Sequence, residues 1–241
     1  MKFTRRFAIG LTTAVALMAF QGAANAEVEK VTIAVGGKSL FYYLPLTIAE
    51  QRGYFKEEGV NVEIVDFAGG SKALQAVVGG SADVVSGAYE HTIKLQGKKQ
   101  YFTAFVQQAR APQIVLAVST KTMPNYKTLA DLRGKKIGVT APGSSTNMVA
   151  SFVLDGAGVN SKEVSFIGVG AGSGAVAAMK TGQIDAIANL DPVISSLERD
   201  GAIKVLVDTR KMSATREVFG GDMPAGSLYA PETFIKANPK T

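Results

Sequence analysis

The sequence predicts an α/β fold in two lobes, each a mainly parallel sheet flanked by helices. Three observations point there. Short β-rich runs alternate with helical ones, one stretch of that alternation recurs 102 residues later (Gly70 to Gly172), and loops rich in glycine and serine stand where strands hand over to helices. A repeated βαβ order requires parallel pairing through right-handed crossovers.

The elements follow in order. "VTIAV" (31–35) has the β-branched density of a strand, and "YLPLTIAEQRGYF" (43–55) reads as a helix closed near Gly53. "VNVEIVDF" (60–67) is a second strand, "SKALQAVVGG" (71–80) a helix, and "ADVVSG" (82–87) a third strand. The same sentence is then written again. Residues 67–87, "FAGGSKALQAVVGGSADVVSG", align without gaps to 169–189, "VGAGSGAVAAMKTGQIDAIAN", matching Gly70/Gly172, Ser71/Ser173, Ala73/Ala175, Ala76/Ala178, Gly80/Gly182 and Asp83/Asp185. Upstream, "IAVGG" has a counterpart in "IGVTA". Matches in one order suggest two lobes of similar construction.

In open parallel sheets ligands sit beyond the carboxyl ends of the strands. Four small-residue loops fall there: "GGKSLFYY" (36–43), "AGGSK" (68–72), "APGSSTN" (141–147) and "GAGSGA" (170–175). If the lobes face each other, four helix N-termini converge on one cleft, with unpaired backbone N–H groups that attract anions. "APGSST" lacks the lysine of a phosphate loop, so it reads as a jaw that holds a ligand without reacting with it. The segment 105–119 is expected to carry the chain across, and a segment near 208–227 to bring it back.

The first 26 residues read as an export leader. "MKFTRR" is its basic start, "FAIGLTTAVALMAF" its apolar core, and "AANA" a cleavage site ending at Ala26. Periplasmic localisation is therefore expected, with the mature chain beginning at Glu27. Loss of Lys2, Arg5 and Arg6 with the leader takes the formal charge from +6 to +3, too mild an excess to argue for nucleic acid. No cysteine occurs, which excludes disulfides, thiolate metal sites and a lipid tether.

"LPLTIAEQRGYFKEEGVNVEI", "GGSKALQAVVGGSADVVSGAYEHT", "TLADLRGKKIGVTAPGSST" and "MKTGQIDAIANLDP" together resemble periplasmic solute-binding proteins of ABC importers. The group is the nitrate/sulfonate/taurine type, which includes binders of thiamine-pyrimidine precursors. The resemblance covers nearly all of 31–230. It implies a type II periplasmic-binding-protein-like fold whose two crossing segments form a hinge. Lobe 1 would comprise 27–112 plus 217–241, and lobe 2 would comprise 113–216. Members of the group continue past a segment like "PETFIKANPKT" with further helices, so lobe 1 is expected to be incomplete at its C-terminal side. The implied function is capture of a small organic anion (sulfonate, carboxylate or nitrate-like) and its delivery to an ABC permease in the inner membrane. The implied partners are that small-molecule ligand and the permease, with no nucleic acid, no cofactor, no metal and no catalytic residue, in a monomeric protein. The group's contact loops fall here on Ser39, Leu40, Phe41, Tyr42, Gly70, Ser71, Tyr89, Ser144, Ser145, Thr146, Ser173, Asn189 and Asp191.

Single residues add weight unevenly. Of Phe41, Tyr42 and Tyr43, at least one should pack under the helix while the others wall the cleft. Asp191, before Pro192, can cap a helix, whereas Asn189 has no such obvious duty. Arg110 could grip a carboxylate or sulfonate in a bidentate manner or pair with a surface acid. Glu90 and His91 end a strand-loop, and a lone histidine without paired carboxylates is more often packed than catalytic. The alternatives are a binder of a thiamine-pyrimidine precursor or similar heteroaromatic, and a pyrimidine-synthase-like enzyme on the same fold. Absence of cysteine weighs against the enzyme. A transcription-regulator effector domain would need a DNA-binding segment where the export leader stands.

Overall fold

The computed structural model describes residues 30–241; the leader expected at 1–26 lies outside the described residues. The first half builds β1 (Lys30–Gly36), α1 (Leu44–Arg52), α2 (Tyr54–Glu57), β2 (Asn61–Phe67), α3 (Gly70–Val78), β3 (Val84–Ala88), α4 (Glu90–Gln96) and β4 (Phe102–Gln107). The second half builds β5 (Val115–Ser119), β6 (Lys136–Val139), α5 (Ser145–Gly156), β7 (Ser165–Gly168), α6 (Ser173–Thr181), β8 (Ala186–Asn189), α7 (Val193–Arg199), β9 (Ile203–Asp208) and α8 (Met212–Phe219). The chain then returns to the first half with β10 (Gly226–Pro231) and α9 (Glu232–Ala237).

Two five-stranded sheets result, in the orders β2-β1-β3-β10-β4 and β7-β6-β8-β5-β9. β1 runs parallel to β2 and β3, as β6 does to β7 and β8. β10 is antiparallel to β3 and β4, as β5 is to β8 and β9. The fourth strand of each sheet is therefore the one that has just crossed from the other lobe. The internal repeat persists in atomic detail. The Asp83 carboxylate accepts from Thr32 N–H at 2.8 Å, and Asp185 accepts from Lys136 N–H at 3.0 Å, each tying the loop before the third strand to the start of the first. Gly80 (φ 76°) and Gly182 (φ 84°) both take the left-handed conformation after their helices.

The alanine faces of α3 and α6 let the helices lie close to their sheets. Ala73, Ala76 and Val77 pack with Ala34, Val85 and Tyr229, and Ala175, Ala178 and Met179 pack with Val115, Ile187, Ile194 and Leu197. The crossings are narrower than the sequence suggested, because 105–107 still belong to β4 and 115–119 to β5. Residues 108–114 make the outward crossing. Helix α8 runs through the boundary drawn between 216 and 217 and stacks Phe219 on Phe152 of α5, ring centroids 5.2 Å apart. The return crossing is thus confined to 220–225. The two crossings are stitched together where Ala109 N–H donates to Gly226 O at 3.0 Å and Ala225 N–H to Ala109 O at 3.1 Å, while Gln113 N–H ties the outward crossing to Thr209 O, just past β9, at 3.1 Å.

Candidate functional site

The loops at the carboxyl ends of β1 and β2 face those of β6, β7 and β8, and they meet in pairs rather than at one point. At the first meeting, α3 and α5 present their N-terminal turns to each other. Ser71 N–H donates to Ser144 Oγ at 3.1 Å, Ser144 Oγ donates to Ser71 Oγ at 3.2 Å, and Ser71 Oγ donates to Pro142 O at 2.9 Å. Gly69 makes this approach possible, since a Cβ there would lie 2.8 Å from Ala141 Cβ. At the second meeting Phe41 N–H donates to Asp191 O at 3.0 Å. Gly37 (φ 97°) packs so close to Ala171 that a Cβ would come within 2.5 Å of the alanine methyl.

An open cavity of about 800 Å³ lies beside the second meeting, lined from one lobe by Ser39 and Phe41 and from the other by Ala171, Gly172, Ser173 and Pro192, with Lys180 and Arg199 also on its wall. Phe41 is 59% exposed there. Another cavity, about 420 Å³, flanks the first meeting and is lined by Ser71, Gln75, His91, Lys94, Pro142 and Gly143.

Several residues marked in the sequence have partners within their own lobe. Thr146 is buried, its Oγ1 accepting from Thr140 N–H at 3.0 Å, so it braces its loop. Asn189, also buried, donates from Nδ2 to Gly170 O at 3.1 Å and accepts from Leu190 N–H at 2.9 Å. The Asp191 carboxylate accepts from Ser195 N–H at 3.0 Å and lies 3.4 Å from Arg210, which also binds Asp208 and Glu198. Leu40 is buried, Gly70 sits at the first turn of α3 against His91, and Ser145 is half-buried at the start of α5. Tyr89 lines a separate surface groove with Thr92, Ile93 and Tyr101, and Arg110 is exposed on the outward crossing.

Tyr42 and Tyr43 are buried edge-to-face, ring centroids 5.0 Å apart, and Tyr42 lies against the hinge residue Gly226. Burial raises the phenol pKa of Tyr42, Tyr43 and Tyr229, with the Glu90 carboxyl adding to it in each case. Glu90 itself is partly exposed as a residue, yet the protein packed round its carboxyl pushes its pKa up to about 7. Next to it, His91 is buried, with Nδ1 2.9 Å from Tyr229 Oη. Its Nε2 looks towards the Gly143 carbonyl of the other lobe without reaching hydrogen-bond geometry. Burial lowers the His91 pKa to about 4. The sequence left the roles of Glu90 and His91 open and allowed Tyr43 as either a packed or a cleft-wall aromatic; the structure buries Tyr43 and His91. The signal for Glu90 was a carboxylate directly after the buried run "VVSGAY".

The sequence model of a family described as NMT1/THI5 like matches residues 40–241. The chain belongs to the NMT1/THI5-like family. A solved structure from Bordetella bronchiseptica RB50 is 65% identical, superposes with a TM-score of 0.87, and overlaps 88% of this chain and 66% of that one. YtlA of Bacillus subtilis (strain 168), provisionally named a binding protein, is 25% identical over 215 residues. That match takes in 88% of this chain, which spans only 61% of YtlA's length. The alkanesulfonate-binding protein SsuA of Xanthomonas axonopodis pv. citri, solved bound to MOPS, shares the fold at a TM-score of 0.66 and 23% identity, over 89% of this chain and 70% of that one. This NMT1/THI5-like chain thus has the two-lobed periplasmic-binding-protein architecture.

Proposed function

We propose that this protein is the solute-binding component of an ABC importer. It captures a small organic anion between its lobes and hands it to a membrane permease, acting by closure and not by catalysis. The observation that carries the reading is the pairing of loops from opposite lobes at Ser71–Ser144 and Phe41–Asp191, beside an open cavity lined from both sides. A solute seated there touches both lobes only when they are together, and that difference in contacts is what drives closure. The helix N-termini of α5 and α6 favour negative charge. Family membership and the YtlA match over most of the chain support binding as the role, and the export-like leader supports the periplasm as its place.

A second reading, a polar heteroaromatic solute, is favoured by the exposed Phe41 ring on the cavity wall, which offers a stacking face. A thermal-shift screen of sulfonates, carboxylates, nitrate and pyrimidines separates the two. A ligand present at a hundred times its dissociation constant adds about 2.7 kcal/mol of stability. A shift with sulfonates or carboxylates supports the first reading, and a shift with pyrimidines alone supports the second. No shift with any of them would overturn solute capture for these classes.

A further inference from the structure

The cavity of about 420 Å³ beside the first meeting of the lobes plays no part in the capture proposed above, and its wall is differently built. Leu74 and Val78 of α3 and Leu95 of α4 make one side of it apolar. Lys94 of α4 and Lys98, in the turn that follows, bring two positive charges to it. Neither ammonium has an ion pair or a hydrogen bond among the described residues, whereas Lys38 and Lys180 are held by Glu50 and Asp200. No carboxylate stands on the wall among those residues to neutralise them.

His91 lines the same cavity and is only 1% exposed. Its Nδ1 meets the Tyr229 hydroxyl, while Nε2, on the side of Gly143, has no hydrogen-bond partner. One tautomer suits both neighbours. Tyr229 donates its O–H to Nδ1, and the ring proton sits on Nε2, where a bare lone pair would face a carbonyl oxygen. A buried N–H with no acceptor is rare in a folded protein, because it has given up water and gained nothing in return.

We propose that this cavity is a second ligand site, taking a small oxyanion on a short apolar body, such as an alkyl sulfonate, carboxylate or phosphate monoester. Lys94 and Lys98 meet the charge, His91 Nε2–H donates to one oxygen, and the apolar body lies along Leu74, Val78 and Leu95. Pro142 and Gly143 put lobe 2 on the same wall, so an occupant touches both lobes and favours their closure. That last consequence rests on the solute-capture reading; the site itself does not.

His91 is the chain's one histidine, so in isotope-labelled protein carrying no histidine tag the imidazole nitrogens identify themselves. Burial holds the ring neutral at pH 7, and a change in its signals reports a hydrogen bond rather than a titration. Long-range proton–nitrogen spectra of the full chain should show the proton on Nε2 before any addition. Pentanesulfonate should then move the Nε2 signal saturably. Methanesulfonate, with no chain to bury, should bind about ten-fold more weakly, and pentan-1-ol should leave the signal where it was. Lys94→Ala with Lys98→Ala, both at exposed positions, should weaken pentanesulfonate about 3- to 30-fold. A proton on Nδ1, no saturable shift with either sulfonate, an equal response to the alcohol, or equal binding by the double variant overturns the second site and leaves solute capture standing. So does a shift lost in Phe41→Ala but kept in the lysine variant, since the sulfonate then sits in the larger cavity. A thermal-shift screen without a hit would remove solute capture and leave this site as it is.

Discussion

Glu90 and His91 are adjacent in sequence, and burial moves them in opposite directions. Burial holds the His91 imidazole neutral, its pKa lowered from 6.5 to about 4. Its contribution to stability is complete above about pH 6.5 and is lost as the pH falls towards 4. Glu90 has a carboxyl pKa raised from 4.5 to about 7, so the folded state prefers it protonated; its contribution is complete below about pH 4.5 and is lost as the pH rises to 7. Each spans up to roughly 3 kcal/mol, taking 1.36 kcal/mol per pKa unit. The two windows overlap and their opposite slopes cancel between about pH 4.5 and 6.5, so urea unfolding of the unliganded protein between pH 4 and 8 is expected to show a shallow plateau at mildly acidic pH. Glu90→Gln should flatten the alkaline side, and His91→Gln the acidic side. A profile unchanged in both variants would show that neither group carries the linkage. This pair was only half legible in the sequence. A lone histidine was expected to be packed, and His91 is buried, but the Tyr229 hydroxyl it meets lies 138 residues away. No local pattern announces it.

At the scale of elements, the repeat was readable because helix and strand grammar is local: Ser71 and Ser173 open helices, and Gly80 and Gly182 close them. What the paired aspartates do was not readable, since each acts on a strand about fifty residues upstream. Their shared geometry makes a clean prediction. Asp83→Ala and Asp185→Ala each remove an acceptor from the backbone N–H that starts a central strand, and each should cost about 1–2 kcal/mol. The sites lie in different sheets, so the double variant should cost close to the sum of the two, within about 0.5 kcal/mol. Chemical denaturation of the three variants checks this. A double variant no worse than the worse single would mean that one lobe alone limits unfolding. Helix α8 marks the opposite limit of local reading. "MSATREVF" gave no hint that Phe219 would stack on Phe152 of α5, so the boundary expected between 216 and 217 fell inside a single helix.

For the whole molecule, the sequence set the four loops at the ends of the strands but did not show which of them would touch. Ser71 of "AGGSK" and Ser144 of "APGSST" bond directly to each other, at a spacing Gly69 permits. In the closure mechanism proposed above, polar contacts of this kind stabilise the closed arrangement before any solute arrives, and so set how much closure a ligand must still supply. Three hydrogen bonds are involved, and Ser71→Ala with Ser144→Ala removes them all without adding bulk. At a net 0.5–1.5 kcal/mol per bond, and with some of that recovered by water on opening, the change should shift the ligand-free equilibrium towards the open state by about 1–3 kcal/mol. That is roughly a 5- to 150-fold change in the ratio of states, and apparent affinity for a solute falls in step if closure is required for binding. Because the chain contains no cysteine, Glu58→Cys and Lys162→Cys, one exposed position on each lobe, can be spin-labelled as a unique pair. Pulsed dipolar distances in the ligand-free protein should then gain a longer component in the double-alanine background. Thr146→Val serves as the contrast, since its hydroxyl bonds within lobe 2: it should lower the melting temperature while leaving the distance distribution where it was. If the double-alanine protein keeps the original distances, closure rests on the packed glycine contacts and the hinge, and the serine pair is only a consequence of it.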